Sequence, residues 1–167
     1  MACLLLVGPS GGGKTCICKQ AASIDMRVEH IVVDKVLQAR IPGPELFERT
    51  CALIEQLRAK SGDRIIIADI GAGSLEDSRA VAYFRREAKI MMSLLLASRL
   101  AYKRACGRSG SAWLGKPIDI YEAIEYSPAR RQIYSAASAK IDASGTLDES
   151  VHNLIAAADV LIRKIQA

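Results

Sequence analysis

The 167-residue chain has little with which to build a membrane span, a disulfide framework or a base-stacking surface. Aromatic residues make up only 5%, which is too sparse for a row of stacked nucleobases. The longest apolar runs, Ile90-Met91-Met92 and Leu94-Leu95-Leu96-Ala97, are too short to cross a bilayer. Five cysteines (Cys3, Cys16, Cys18, Cys51, Cys106) form an odd set without disulfide spacing, and no ligand cluster turns Cys16 and Cys18 into a metal site. They read as reduced thiols of a cytoplasmic protein. The opening stretch Met-Ala-Cys-Leu-Leu-Leu-Val has no basic leader, so a secretory signal is not expected. The two histidines have no evident partners: His30 reads as structural and His152 as a surface residue. The net charge of +5 is mild and its Lys and Arg residues are scattered, with some gathering at Arg99 to Arg108. Small anionic ligands account for that charge, and neither nucleic-acid nor membrane partners are expected.

What is present is an alternation of strand and helix patterns in a chain of single-domain size. Ala2 to Val7 reads as a buried strand and Lys14 to Ser23 as a helix. Glu29 to Asp34 is β-branched and ends in an acid, predicting a second strand. Pro44 opens a helix running to about Lys60. Arg64 to Asp69 is the clearest strand, followed by a turn at Gly71 and Gly73 and a helix from about Ser74 to Glu87. Ile90 to Ala97 predicts a fourth strand and Arg99 to Cys106 a basic helix. Gly107 to Pro117 is rich in Gly and Ser and suits a mobile flap. Helical patterns follow over Asp119 to Ser138, broken near Pro128, then a short strand at Lys140 to Asp142 and a closing helix from Leu147 to Ile165. This order predicts an α/β fold, a parallel sheet covered on both faces, with ligands at the carboxyl ends of its strands. Gly8, Asp34 and Asp69 all fall there.

Gly8-Pro9-Ser10-Gly11-Gly12-Gly13-Lys14-Thr15 matches G-x-x-x-x-G-K-[ST] in full, between a predicted strand and a predicted helix. Average residue frequencies make a chance match in a chain this long roughly a one-in-a-hundred event or rarer. Glycines let successive backbone N–H groups turn inward onto phosphate oxygens, and the following helix adds its positive end. Lys14 is placed to reach the β- and γ-phosphates and Thr15 to offer a hydroxyl to Mg²⁺, with Cys16 next to them at the helix start. Bound ATP with Mg²⁺ is the expected ligand, because no N-K-x-D segment is present to read guanine. Asp69 closes its hydrophobic strand as a metal-organising acid would. Asp34 ends the second strand, where it can orient or deprotonate an attacking hydroxyl. Arg104 and Arg108 suit a guanidinium closure over transferring phosphate.

These pieces resemble the shikimate kinase-like branch of small-molecule kinases, related to the nucleoside monophosphate kinases, over nearly the whole chain. The resemblance implies a three-layer αβα P-loop NTPase fold, a five-stranded parallel sheet ordered 2-3-1-4-5 and a small flap (LID) at about 107–117. It implies that the turn Gly71-Ala72-Gly73 contacts the acceptor, that Arg104 stacks on adenine and that flap residue Arg108 meets the phosphates. Arg130 and Tyr134 repeat the family's Arg followed four residues later by Tyr, which implies that Arg130 binds an acidic group of the acceptor. The loop Asp142 to Gly145 corresponds to the one that holds adenine. Two departures matter. Asp34-Lys35-Val36 carries one acid where shikimate kinases have D-x-D, and Phe47-Glu48-Arg49 shifts the family's Phe-Arg by one residue, so that Arg49 is the remaining candidate for that arginine. The expectation is an ATP-dependent phosphotransferase of monomer or homodimer form, acting on a small hydroxylated metabolite other than shikimate, an anionic one included. The alternative is a nucleotide-dependent switch or binding module without an acceptor.

Overall fold

The computed structural model describes residues 2–37 and 43–167. Five parallel strands form one sheet in the order β2-β3-β1-β4-β5, made of β1 (Ala2–Val7), β2 (Val28–Val32), β3 (Ile65–Asp69), β4 (Met91–Leu95) and β5 (Ala139–Asp142). The anticipated strand order is therefore the observed one. Central strand β1 is buried along its whole length, as a strand with helices on both faces requires. Its alternating side chains divide between two cores. Cys3, Leu5 and Val7 join Phe47, Ile54, Phe84 and Ile133 on one face, while Leu4 and Leu6 join Ile17, Leu154 and Leu161 on the other.

Helices α1 (Lys14–Ile24) and α8 (Leu147–Gln166) cover the second face. α3 (Gly43–Lys60), α4 (Ala80–Arg86) and α7 (Pro128–Ala136) cover the first. α5 (Ser98–Cys106) and α6 (Ile118–Glu125) flank residues 107–117 and carry a small separate core of Ala101, Ala105, Trp113 and Tyr121. Pro128 separates α6 from α7 by standing in the first turn of α7, where it costs no hydrogen bond. A capping box starts α8: Thr146 Oγ1 accepts from the Glu149 N–H, and Glu149 Oε2 from the Thr146 N–H at 2.7 Å. Among the described residues no helix is long and apolar enough to cross a membrane.

Two local expectations fail. Asp34 does not end a strand; β2 stops at Val32 and Val33–Val36 forms the single helical turn α2. Fully buried Val33 turns into the core there, so packing overrides the β-branched pattern. Nor does one helix cover Ser74 to Glu87. The chain makes a 3₁₀ turn over Ala72–Leu75 and begins α4 only at Ala80. Between them Asp77 Oδ1 accepts from the backbone N–H and guanidinium of Arg79, local bonds that compete with helix continuation.

Candidate active site

The strand register gathers the predicted residues. Leu6 and Val32 both pair with Asp69, so β1, β2 and β3 end side by side, and each chain leaves that edge into a functional segment. β1 opens into the phosphate loop, β2 into the turn bearing Asp34, and β3 into Gly71-Ala72-Gly73. One cleft at this edge is lined by Ser10, Lys14, Thr15, Cys16, Asp34, Asp69, the Gly71–Gly73 turn and Arg108.

The loop is shaped by close packing. Gly11 has φ +80°, and a Cβ on it would lie 2.1 Å from the Ala101 carbonyl oxygen and 2.7 Å from the Ala105 nitrogen. No other residue fits against α5 there. Gly13, with φ +92°, caps α1 in the left-handed region. Lys14 Nζ donates to the Gly8 carbonyl at 2.9 Å, so the ammonium folds back across its own loop. Gly8 itself is buried beneath the cleft.

Thr15 Oγ1 donates to Asp69 Oδ2 at 2.6 Å. Asp69 is 3% exposed, and burial pushes its carboxyl up. The His30 ring, the Lys14 ammonium and the Thr15 hydroxyl outweigh that and leave it below the usual carboxylate range. His30 Nε2 stands 3.6 Å from Asp69 Oδ2, beyond a full hydrogen bond but within electrostatic reach, and makes no hydrogen bond among the described residues. His30 thus stands behind Asp69 and does not line the cleft, a placement its sequence neighbourhood gave no sign of. Thr15 and Asp69 are the hard oxygen donors that Mg²⁺ takes when phosphates complete its shell, so the pair fits that ion. Among the described residues no cluster of three or more His, Cys, Asp or Glu side chains suits a resident metal.

Asp34 faces the same cleft across from the phosphate loop. Burial first, and the negative Asp69 second, push its carboxyl up, with Lys14 acting in the opposite sense. Its Oδ1 is buried without a hydrogen-bond partner among the described residues. Gly71 makes room for it, since a Cβ there would fall 1.7 Å from Asp34 Oδ2.

A second cleft adjoins the first through Gly11, Gly13, Cys16 and Arg108 and continues past Gly12, Arg104, Gly145 and Leu147. Arg104 Nη1 donates to the Ala143 carbonyl at 2.7 Å and Nη2 to that of Gly145 at 3.4 Å, which fixes its guanidinium plane at the cleft wall. Asp142 does not line this cleft. Its Oδ1 accepts from the Ser144 N–H at 2.9 Å and shapes the loop instead.

Two expected acceptor-binding residues are not in the cleft. Arg49 is exposed on the outer side of α3 and pairs with Glu45 at 2.5 Å, because a one-residue shift rotates a helical side chain by about 100°. Arg130 is 3% exposed and lies beneath the cleft, with Nη1 at 2.7 Å from Glu125 Oε2 and Nη2 bonded to the Ala72 carbonyl and to Glu76. Glu125 and Tyr121, both on α6, grip the phosphate loop. Glu125 accepts from Ser10 N–H at 3.0 Å and from Ser10 Oγ at 2.7 Å, and Tyr121 donates its hydroxyl to the Ser10 carbonyl at 2.6 Å. Sequence reasoning missed both residues, which lie more than a hundred positions from the loop.

No protein-family profile and no curated protein sequence matches the chain. Solved structures do. The shikimate kinase of Bacteroides thetaiotaomicron superimposes with a TM-score of 0.66 at 19% identity, covering 92% of this chain and 96% of its own. A gluconokinase from Sinorhizobium meliloti gives a TM-score of 0.61 at 14% identity over 99% and 95%. The Acinetobacter baumannii shikimate kinase, solved in complex with shikimate, gives 0.59 at 18% over 99% and 92%. Together with the observed strand order, these likenesses show that the chain has the P-loop, shikimate kinase-like kinase fold.

Proposed function

We propose that this chain is a small-molecule kinase that transfers the γ-phosphoryl group of ATP to a hydroxyl of a small metabolite. The observation that carries this reading is the placement of Asp34. It is a half-buried carboxylate with one oxygen unpartnered among the described residues, set in one cleft with a complete phosphate-binding loop. A nucleotide switch or binding module has no need of such an acceptor-side acid, whereas a kinase does.

The donor occupies the phosphate loop, its base in the second cleft beside Arg104, where a pinned guanidinium plane offers a stacking face. Thr15 and Asp69 would hold Mg²⁺, which would supply charge neutralisation on the phosphates. Lys14 leaves the Gly8 carbonyl for phosphate oxygens, and Arg108, shared by both clefts, meets the charge of the group in flight. The acceptor hydroxyl donates to Asp34, its oxygen attacks the γ-phosphorus, the bond to the β-phosphate oxygen breaks, ADP departs and the proton passes to Asp34. Residues 107–117 form the flap that excludes water during transfer. Gly71-Ala72-Gly73 forms the acceptor-side wall.

The test is ATP consumption by purified protein with Mg²⁺ against a broad panel of hydroxylated metabolites, with the phosphorylated product identified by mass. Acceptor-dependent ADP formation is expected. Tight ATP binding with no acceptor-dependent turnover across the panel would show a binding module instead.

A further inference from the structure

We infer that the acceptor is an uncharged polyhydroxyl compound, and that Glu125 and Arg130 are positioning residues which hold the phosphate loop against the acceptor turn instead of binding an acceptor anion. This rests on the kinase reading above.

Arg130 is held on two sides: Nη2 is hydrogen-bonded, and Nη1 faces Glu125 as an ion pair without hydrogen-bond geometry. Glu125, 1% exposed, neutralises it, and the Ala72 carbonyl and Glu76 take its other amino group. Both charges of the Glu125–Arg130 pair are buried, so separating them to free Arg130 for a ligand leaves Glu125 uncompensated. Glu125 cannot release its partner freely, because the same carboxylate holds the Ser10 N–H and hydroxyl. A continuous chain of contacts thus runs from Ser10 through Glu125 and Arg130 to Ala72, joining the donor loop to the acceptor turn.

The chemistry at the acceptor end agrees. Among the described residues the cations lining the cleft are Lys14, bonded to the phosphate loop, and Arg108, shared with the second cleft. Facing the acceptor instead is Asp34, whose negative charge opposes a carboxylate and accepts from hydroxyls, while Asp69 is engaged by Thr15 on the donor side. Asp34 Oδ1, buried and without a hydrogen-bond partner among the described residues, calls for a donor, which a hydroxyl supplies and a second carboxylate beside it does not.

The experiment compares matched pairs, sugar alcohols or aldoses against the sugar acids of the same carbon skeleton, as acceptors for Mg·ATP. At least tenfold higher kcat/KM for the uncharged members is expected, and preference for the acids overturns the inference. Turnover with neither class, while an unrelated hydroxyl compound is phosphorylated, also overturns it but leaves the kinase reading standing. If nothing at all is phosphorylated, the kinase reading fails and this one with it. Arg130→Met and Glu125→Gln separate the roles. As positioning residues, both should lower ATP affinity several-fold and lower turnover of every acceptor alike, with Arg130→Lys partly restoring both. A loss confined to KM for acidic acceptors, with ATP affinity unchanged, would show Arg130 to be an anion binder.

Discussion

The donor side and the acceptor side of the cleft are built by opposite means. On the donor side, eight consecutive residues make a site from backbone, and almost every position is fixed by packing: Gly11 against α5, Ser10 between Tyr121 and Glu125, Lys14 on the Gly8 carbonyl. On the acceptor side, the lining comes from segments that leave separate strands, and the central acid has an oxygen unpartnered among the described residues. Phosphate is common to all triphosphates, so its cradle can be finished in advance. The acceptor is particular, and its polar contacts stay incomplete until it binds.

Substitutions can break that comparison, and the largest effect is expected at Asp34. Asp34→Asn should reduce acceptor phosphorylation by roughly 10²- to 10⁴-fold, as for loss of a general base, with ATP affinity unchanged in a direct binding measurement. Because burial and Asp69 raise the Asp34 pKa, its ionised form costs stability in the folded chain. That stability is present at low pH and is lost as pH rises through the raised value, so the Asn variant should melt at the same temperature or higher at neutral pH. The wild-type rate should fall on the acid side with a midpoint above that of an ordinary aspartate, and a pH–rate profile reads this directly.

On the donor side the corresponding break is Gly11→Ala, which places a methyl group against the backbone of α5. It should destabilise the fold by about 1–3 kcal/mol, visible in thermal unfolding, and weaken ATP binding at the same time. Here stability and ligand affinity fall together, whereas at Asp34 they separate. A smaller effect belongs to Arg104→Met, which removes the guanidinium at the second cleft. ATP affinity should drop about tenfold, or about 1.4 kcal/mol, while inorganic tripolyphosphate affinity in calorimetry stays the same. Smallest is Arg49→Ala. An exposed i,i+4 pair contributes about 0.3–0.5 kcal/mol, so kinetics with any acceptor should change by less than twofold. A large acceptor-specific loss there would return Arg49 to the site.

The same asymmetry decided what could be read from sequence. The phosphate loop is contiguous, so its spacing exposes it, and the buried runs of β1 and β3 announced the parallel sheet and its order through family resemblance. Asp34 and Asp69 were legible as chain ends of strands, even though Asp34 stands on a helical turn set by the burial of Val33. The rest depended on rotation and long-range contact. Arg49 and Arg130 have the right residue type, but one points away by helix phase and the other is neutralised by Glu125, five positions earlier on the preceding helix. Glu125, Tyr121 and His30 gave no local signal, because each acquires its role from a partner distant in the chain.

The two stems of residues 107–117 are fastened separately. α5 packs against Gly11 and α6 binds Ser10, so neither stem relies on the connecting segment to stay in place. Trp113 ties the far end of that segment to Tyr121, while Ser109 and Gly110 are exposed at its tip. Chain length at that tip is accordingly free to drift. Residues added after Gly110 would extend into solvent without moving the loop or its grip, and variety among related proteins in what they cover and admit can accumulate there at little cost to the fold.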